Sequence, residues 1–227
     1  MRNSPSRTLL STFIAALMLA GASGCASMNK TTQGAILGGA AGGAVGGVIG
    51  NQTGSTTRGA IIGAVVGGAA GAIIGSKMDQ RAKEIDQNVP GAIVERVGEG
   101  IQVTFPSGLL FDFDSDVVKS NAAANLNQLA ASLNKYTDSN LLIAGHTDAV
   151  GTAEYNQDLS DRRALSAARY LANRGVVRHI ATAGLGEREP IGSNTTEAGR
   201  QQNRRIEVAI YASEALQEDA RRQAGSR

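Results

Sequence analysis

Residues 145–164, GHTDAVGTAEYNQDLSDRRA, give the strongest indication of the fold. It follows the apolar run NLLIA, residues 140–144, which predicts a buried strand. A loop of small residues comes next and carries one acid, Asp148. The segment after the loop has helical spacing and carries Arg163. A strand, a loop and a helix in this order place the acid and the arginine where loops commonly carry function.

The pair formed by Asp148 and Arg163 has three interpretations. The two side chains could form a salt bridge with each other, act in catalysis, or face one cavity as a clamp. A carboxylate suits an ammonium group, and a guanidinium binds a carboxylate through two parallel hydrogen bonds. A cavity that presents both would complement a free amino-acid end, which carries both charges on one carbon. Spacing alone does not choose between this clamp and a mutual salt bridge.

Composition excludes several classes of partner and fold. The net charge is +2, which is too small to indicate nucleic acid. Tryptophan is absent and aromatic residues make up 4% of the chain, so base-stacking platforms are not expected. The single cysteine, Cys25, excludes an intramolecular disulfide and a cysteine-based metal cluster. We therefore predict a protein that does not bind nucleic acid.

The sequence lacks the combinations of residues that an enzyme active site would need. His146 and His179 are the only histidines, and no third ligand accompanies them, so we predict no metal site. Ser160 has no evident paired base and is interpreted as a helix cap. The acids of residues 112–116 lack the partner carboxylate that glycoside hydrolysis requires. Residues 184–190 lack the glycine pattern of a nucleotide loop, so we predict no cofactor and no enzyme.

The amino terminus has the pattern of a secretory signal. Residues 1–24 contain a basic start followed by an uncharged apolar core. The small residues before Cys25 resemble the lipobox of bacterial lipoproteins, which implies lipidation of Cys25 and a membrane lipid partner. Ala26 after the cysteine suggests an outer-membrane anchor with the folded part in the periplasm. The alternative is a free cysteine in an ordinary signal or membrane helix. Residues 25–33 would form a short tether.

Two glycine-rich copies follow at an offset of 25 residues. TTQGAILGGAAGGAVGGVIG (31–50) aligns with TTRGAIIGAVVGGAAGAIIG (56–75), and glycine recurs at every fourth position in both. On a helix this spacing forms one ridge, which allows close helix packing in a membrane. We predict a glycine-zipper helical hairpin over residues 34–76 that inserts into the membrane or self-associates on it. The alternative is a flexible low-complexity spacer.

A soluble domain is predicted after the zipper. Residues 77–90 suggest a linker helix, 91–213 the folded domain and 214–227 a charged, solvated tail. Alternating strand and helix patterns predict an α/β sandwich whose sheet is covered by helices on one face. Strands are expected in AIVERVGEGIQVTF (as a hairpin), LLFDFDSDV, SNLLIAGH, HIATAGLG and RIEVAIY, and helices in SNAAANLNQLAASLNKY, capped by Ser120, and in the segment that follows Ser160.

The stretch HTDAVGTAEYNQDLSDRRA resembles the TDxxGxxxxNxxLSxxRA signature of the OmpA-like peptidoglycan-binding domain. The segments FDFD (111–114) and GLGEREPIGSNTTEAGRQQNRRIE (184–207) continue the resemblance, which covers roughly residues 100–212. It implies a domain of the βαβαββ type. One departure is Leu185, where the family often has an aromatic residue.

The resemblance also implies roles for individual residues. Asp148 would bind the ammonium and Arg163 the carboxylate of diaminopimelate in the peptidoglycan stem peptide. Asn156 and Asp114 would order the loops or bind through backbone groups, and Asn203 and Arg204 would line the pocket. For two further arginines, surface ion pairing is an equally good interpretation: Arg200 and Arg205.

Together these features predict a non-catalytic lipoprotein that holds the outer membrane to the cell wall. One alternative is a glycine-zipper oligomer that forms a pore or scaffold and uses wall binding only for placement. A second alternative is a cell-wall hydrolase.

Overall fold

The computed structural model describes residues 54–226, and within that range the chain forms seven helices and five strands. The helices are α1 (Thr56–Gly63), α2 (Gly68–Asn88), α3 (Ser107–Leu110), α4 (Ala123–Lys135), α5 (Ala153–Asn173), α6 (Glu197–Asn203) and α7 (Glu214–Gly225). The strands are β1 (Ile93–Val97), β2 (Gly100–Pro106), β3 (Ser139–His146), β4 (Ile180–Gly184) and β5 (Arg205–Ala212).

The strands form one sheet in the order β1-β2-β5-β3-β4. Strands β3 and β4 are parallel, and the other neighbours are antiparallel. The α/β fold class predicted from the sequence is confirmed. From β2 onward the long elements follow the predicted βαβαββ order, namely β2, α4, β3, α5, β4 and β5. Strand β1 precedes this series, and the short helices α3 and α6 lie within it.

The main core lies on one face of the sheet. Inward side chains such as Ile143 of β3 and Val208 of β5 are almost fully buried there. Helix α4 contributes the leucines whose helical spacing predicted its buried face, and each such side chain stabilises the fold by about 1.5–3 kcal/mol. Helix α7 also packs there through Leu216 and Ala220. The segment predicted as a solvated tail is therefore part of the core.

Helix α1 covers the opposite face of the sheet, where the sequence predicted no helix. Its Ala60 and Ile61 pack against Leu142 of β3 and Ala209 of β5. The approach is close, because a Cβ added at Gly100 on β2 would lie 2.5 Å from Ile61. The sheet is therefore covered by helices on both faces.

The second glycine-rich copy differs from the predicted membrane hairpin. Residues 56–75 form α1 and the start of α2, separated by a break at residues 64–67. Glu99 in the β1–β2 turn accepts hydrogen bonds from the Val66 and Gly67 amides at 2.9 and 2.8 Å and so holds the break. Helix α2 continues without interruption into the predicted linker and buries Ile74 and Met78 in the core. Small residues here allow a helix to approach a sheet.

No helix within residues 54–226 combines the length and the apolar character needed to span a bilayer. The signal sequence, Cys25, the tether and the first glycine-rich copy lie outside the described residues. Their predicted roles remain predictions.

Several local predictions also differ from the structure. Residues predicted as a strand in LLFDFDSDV form helix α3 and a loop with one bridge between Phe111 and Val118. Helix α4 begins after Ala122 without a side-chain cap, so Ser120 does not cap it. Thr152 caps α5 by accepting from the Tyr155 amide at 3.2 Å. Ser160 lies inside α5 because that helix starts two turns earlier than predicted.

Glycine at position 145 sets the distance between β3 and α5. A Cβ at Gly145 would lie 2.2 Å from the Ser160 carbonyl oxygen, which belongs to the helix backbone and cannot rotate away. We expect Gly145→Ala to lower the free energy of unfolding by about 1–3 kcal/mol, measured by urea denaturation. Gly225→Ala is the control, because no atom lies within 4 Å of its added Cβ. Equal stability of the two variants would contradict this account.

Candidate functional site

A cavity of about 620 Å³ opens where β3 ends and α5 begins. Its wall combines the loop after β3, the first turns of α5, the loop after α3 and the end of α6. The charged and polar lining residues are Ser107, Asp112, Asp114, Thr147, Asp148, Tyr155, Asn156, Arg163, Glu197, Arg200 and Arg204.

Asp148 is placed two residues beyond β3 and is 7% exposed. Its Oδ1 accepts from the Val150 amide at 3.0 Å, which fixes the turn of the loop. Its Oδ2 accepts from the Arg204 guanidinium. Asp148 and Arg163 therefore do not form the mutual salt bridge that spacing left open, and both side chains line the same cavity.

Arg163 lies on α5 and is only 5% exposed. Its Nε donates to the Ser115 carbonyl at 2.9 Å and its Nη2 to the Asp112 carbonyl at 3.3 Å. The guanidinium also lies 5.4 Å from the centre of the Phe111 ring. Burial lowers the pKa of Arg163, although the group stays charged at neutral pH. Within the described chain, Arg163 forms no ion pair, so a buried cation faces the cavity without a carboxylate partner.

Asp114 lies in the loop after α3, and Asn156 lies in the first turn of α5. Asp114 has a φ of 54°, an unusual conformation for a residue other than glycine, and its carboxylate accepts from the Tyr155 hydroxyl. That hydrogen bond raises the pKa of Tyr155. Asn156 Nδ2 donates to Glu187 at 2.8 Å. Asp114 therefore joins the loop after α3 to α5, and Asn156 joins α5 to the loop after β4.

Arg204 and its neighbour Asn203 have different positions. Arg204 lines the cavity and bridges Asp148 to Glu197. Asn203, which was predicted to line the pocket, is fully buried and does not reach it. Its Oδ1 accepts from the amides of Ile191 and Gly192, both at 2.8 Å. This prediction is wrong because the side-chain amide is committed to the loop before α6.

Arg200 and Arg205, for which the sequence left two interpretations, occupy different environments in the structure. Arg200 lines the cavity, donates to the Asn194 carbonyl at 3.0 Å and pairs with Glu197. Arg205 points to the α1 face of the sheet and pairs with Glu207 at 2.7 Å. The difference follows from their elements, because Arg200 lies on α6 beside the cavity, whereas Arg205 begins β5 and shares the sheet face of Glu207, two residues along the strand.

Sequence reasoning missed several members of the cavity wall. Glu197 pairs with both Arg200 and Arg204, and Tyr155 holds Asp114. The apolar rim contains Phe113, whose side chain is fully exposed. Tyr155 could have been suspected because it adjoins Asn156. Glu197 gives no such signal, because it approaches the cavity only through the packing of α6.

The arrangement suits a small ligand that carries both charges. An anionic group can bind the unpaired Arg163 guanidinium through charge-assisted hydrogen bonds. Each oxygen of Asp148 accepts one hydrogen bond and retains capacity for another, so an ammonium group can bind on the other side. The cavity therefore offers complementary charges to a ligand of the amino-acid type.

Comparison with known proteins places these elements in a family. The OmpA family matches residues 110–204, a range that contains every residue predicted to lie in the pocket. Residues 110–204 therefore resemble an OmpA-family domain. Residues 6–79 match the YMGG-like Gly-zipper family. The family identified from the sequence motifs is confirmed.

Three curated relatives match between 37% and 53% of this chain. Outer membrane porin F of Pseudomonas fluorescens is 44% identical over 103 residues, which cover 45% of this chain and 32% of that protein. The probable lipoprotein YiaD of Escherichia coli K12 is 37% identical over 121 residues, covering 53% of this chain and 55% of that protein. Peptidoglycan-binding protein ArfA of Mycobacterium bovis is 45% identical over 86 residues, covering 37% and 26%. The chain spans no more than 58% of the first relatives' length.

Solved structures agree on the fold. The cell wall anchor of the T6SS from Pseudomonas aeruginosa has a TM-score of 0.52 and 28% identity, covering 60% of this chain and 97% of that one. A putative MotB-like protein from Desulfovibrio vulgaris has a TM-score of 0.58 and 23% identity, covering 63% and 95%.

Proposed function

We propose that the cavity binds the zwitterionic end of diaminopimelate in the peptidoglycan stem peptide. Arg163 binds the carboxylate of that end, and Asp148 binds its ammonium. The observation that carries the proposal is the buried Arg163 guanidinium, which faces the cavity without an ion-pair partner in the described chain. Asp114 and Asp116 stabilise its charge only from a distance, so a ligand carboxylate in direct contact would offset more of the cost of burying it. The names of the wall-binding relatives support the same ligand class.

The other charged residues would adjust when the ligand binds. Arg204 holds both Asp148 and Glu197 in the free protein. If the ligand ammonium takes the place of Arg204 at Asp148, Arg204 keeps its bond to Glu197 and no cation is left unpaired. Asp114 and Asn156 keep the two loops in position through Tyr155 and Glu187.

We propose that binding occurs without turnover. Each acid of the cavity wall is already engaged by a cation or a hydroxyl: Asp112 by Lys119, Asp114 by Tyr155, Asp148 by Arg204, and Glu197 by Arg200 and Arg204. Hydrolysis of a glycan would require one carboxyl to donate a proton and a second to act as base or nucleophile. Acids that are already engaged in this way favour binding of a ligand over its hydrolysis.

The whole protein would then act as an envelope tether. We propose that lipidated Cys25 anchors the chain in the outer membrane and that the domain faces the periplasm. Anchoring by several acyl chains is stable, since each buried CH₂ contributes about 0.8 kcal/mol. Many clamps acting in parallel give a strong attachment even when each is weak. In cell fractionation, Cys25→Ala should move the protein from the membrane to the soluble fraction, and retention in the membrane would contradict this anchor.

The test of the ligand uses two stem peptides that differ in one group. A peptide containing diaminopimelate carries the second amino-acid end, whereas the same peptide with lysine lacks the carboxylate. Calorimetric titration should show binding of the diaminopimelate peptide and a loss of about tenfold or more for the lysine peptide, because one charge-assisted bond is missing. Equal affinities for the two peptides would refute the assignment of Arg163.

Asp148→Asn tests the other half of the clamp. The change keeps the shape but removes the charge, so we expect the affinity for the diaminopimelate peptide to fall by about 1.5–3 kcal/mol. Asp158→Asn is a matched control, because Asp158 is exposed on α5 and pairs only with Arg162. Pulldown with purified sacculi should show the same difference. Undiminished retention of Asp148→Asn would remove the ammonium site.

A further inference from the structure

The second sheet face carries a docking groove that α1 fills. We call this the α1 groove and define it by Leu142, Ala181, Glu189, Glu207, Ala209 and Tyr211. The inward residues of α1 are Thr57, Gly59, Ala60 and Ile61.

Two threonines of α1 make specific hydrogen bonds in the groove. The Thr56 amide donates to both carboxylate oxygens of Glu189 at 3.1 Å, and its hydroxyl donates to Oε1 at 2.6 Å. The Thr57 hydroxyl donates to the buried Glu207. Beyond them, Ala60 and Ile61 pack on Ala209 and its apolar neighbours. The groove therefore recognises two threonines followed by a small residue and an isoleucine.

The first glycine-rich copy repeats every one of these groups. Residues 31–38 are TTQGAILG, whereas α1 is TTRGAIIG. The copies differ only where glutamine replaces Arg58 and leucine replaces Ile62. Both of these α1 positions point to solvent, and Ile62 is 42% exposed. All the inward side chains of α1 are thus present twice in the chain, whereas Ala64, which follows α1 and also packs on this face, corresponds to Gly39.

We propose that residues 31–38 dock in the α1 groove in place of α1, within the same chain. The connection from residue 38 to α2 contains 29 residues, from 39 to 67, which is ample to reach the groove. A segment tethered in this way has a high effective concentration at its site. The groove therefore has two alternative ligands in one molecule.

Helix α1 has advantages that make it the principal occupant. Ser55 caps it by accepting from the Arg58 amide at 3.3 Å, and Arg58 pairs with Glu95 at 2.8 Å. The first copy has Lys30 and Gln33 at these positions and lacks both interactions. Only residues 64–67 separate α1 from α2, so its loop is also much shorter.

Exchange between the two copies would change the reach of the domain. This consequence rests on the proposed anchor at Cys25. With α1 docked, residues 26–55 connect the anchor to the groove and reach about 100 Å when extended, whereas with the first copy docked residues 26–30 reach about 18 Å. The wall-binding cavity would thus have a long and a short tether.

Crosslinking tests the proposal in the 227-residue chain with Cys25→Ser. Ala35→Cys is combined with Ala209→Cys, and a short bifunctional thiol reagent is applied in detergent-free solution. Ala60→Cys with Ala209→Cys is the reference for docked α1. Ala40→Cys with Ala209→Cys is the matched control, because residue 40 lies beyond the proposed docking segment 31–38 and corresponds to the exposed Val65.

The Ala35 pair should crosslink within one chain about tenfold faster than the Ala40 pair. Adding Ile61→Asp, which weakens α1, should raise the Ala35 rate further. Equal rates for the Ala35 and Ala40 pairs, or products formed only between chains, would overturn the proposal. If Ile61→Asp impairs folding, the Ala35 and Ala40 pairs compared without that substitution still test the proposal. Wall binding is measured separately, so a negative result here leaves the proposed ligand untouched.

Discussion

Arg163→Ala should abolish retention of the protein on sacculi and reduce its affinity for the diaminopimelate peptide by about 2–5 kcal/mol. The size of the effect follows from burial. A guanidinium that is 5% exposed forms its ligand bond out of water, where screening is weak. Its loss also leaves the ligand carboxylate buried without a partner. Calorimetry with the purified chain measures the change directly.

The adjacent arginine provides a close control. Arg162 is 40% exposed and pairs only with Asp158 one turn earlier on α5. Arg162→Ala removes the same side-chain type from the same helix, and we expect its affinity to stay within about 0.5 kcal/mol of the unaltered protein. Arg163→Lys keeps the charge but not the planar fork, so it should bind with intermediate affinity. Similar losses of affinity for Arg162→Ala and Arg163→Ala would contradict a specific site and indicate that the overall positive charge of the helix attracts the ligand.

Folding of the Arg163→Ala variant must be checked because Arg163 also holds the loop after α3. Its bonds to the Ser115 and Asp112 carbonyls fix that loop on α5. We expect a small change in the free energy of unfolding, since removing a poorly compensated buried charge offsets the lost hydrogen bonds. A large affinity loss with an almost unchanged unfolding midpoint would separate binding from folding.

Glu207→Gln should cause the largest loss of stability, about 3–5 kcal/mol. Glu207 is buried under α1, pairs with Arg205 at 2.7 Å and accepts from Thr57. The amide cannot compensate the Arg205 charge, which stays buried. For a chain of this size the melting temperature should fall by about 10 °C. Glu218→Gln, on an exposed residue of α7, should change it little.

The pH dependence of stability gives an independent measurement of Glu207. Burial alone raises its pKa, but the interaction with His146, the charge of Arg205 and the Thr57 hydrogen bond together lower that pKa to about 2. Burial lowers the pKa of His146, against the opposing effect of Glu207. We therefore take His146 as neutral and assign the compensating charge to Arg205.

The lowered pKa values of Glu207 and His146 both make the folded state less stable as pH falls. The folded pKa of Glu207 lies below its ordinary value of 4.5, so its contribution is complete above that pH and is lost as pH falls toward 2. His146 adds a loss that begins as pH falls below about 6.5. Glu207→Gln should flatten the low-pH part of the profile, and an unchanged slope between pH 4.5 and 2 would contradict the assignment.

The sequence predicted the elements that local patterns determine. Strand β3, the loop with Asp148 and the helix with Arg163 follow from an apolar run, small residues and helical spacing. The β1–β2 hairpin follows from its central glycines. Ser160 was mistaken for a cap because serine favours that position, whereas its hydroxyl in fact accepts from the Gly186 amide at 2.9 Å and joins α5 to a distant loop.

The position of α1 could not be predicted because its glycines suit two environments. A helix without Cβ atoms approaches another helix in lipid, and it also approaches a sheet closely. The decision depends on Glu207 and Glu189, which are 150 and 133 residues from their threonine partners. The prediction for Asn203 was wrong for a similar reason. Asn203 is adjacent to Arg204 in sequence, but its side chain points away from the cavity and binds the loop before α6.

Helix α1 precedes every strand of the domain, and this order determines how the domain responds to a pulling force. If the wall pulls on the cavity while the membrane pulls on the amino terminus, tension reaches α1 before any strand. Peeling α1 from its groove breaks a few hydrogen bonds and releases residues 56–67, about 40 Å of chain. Helix α2 and strand β5 stay in place, since α2 is buried in the core and β5 lies between two strands. If the protein is the proposed tether, it should therefore lengthen under a sudden pull while the cavity stays folded.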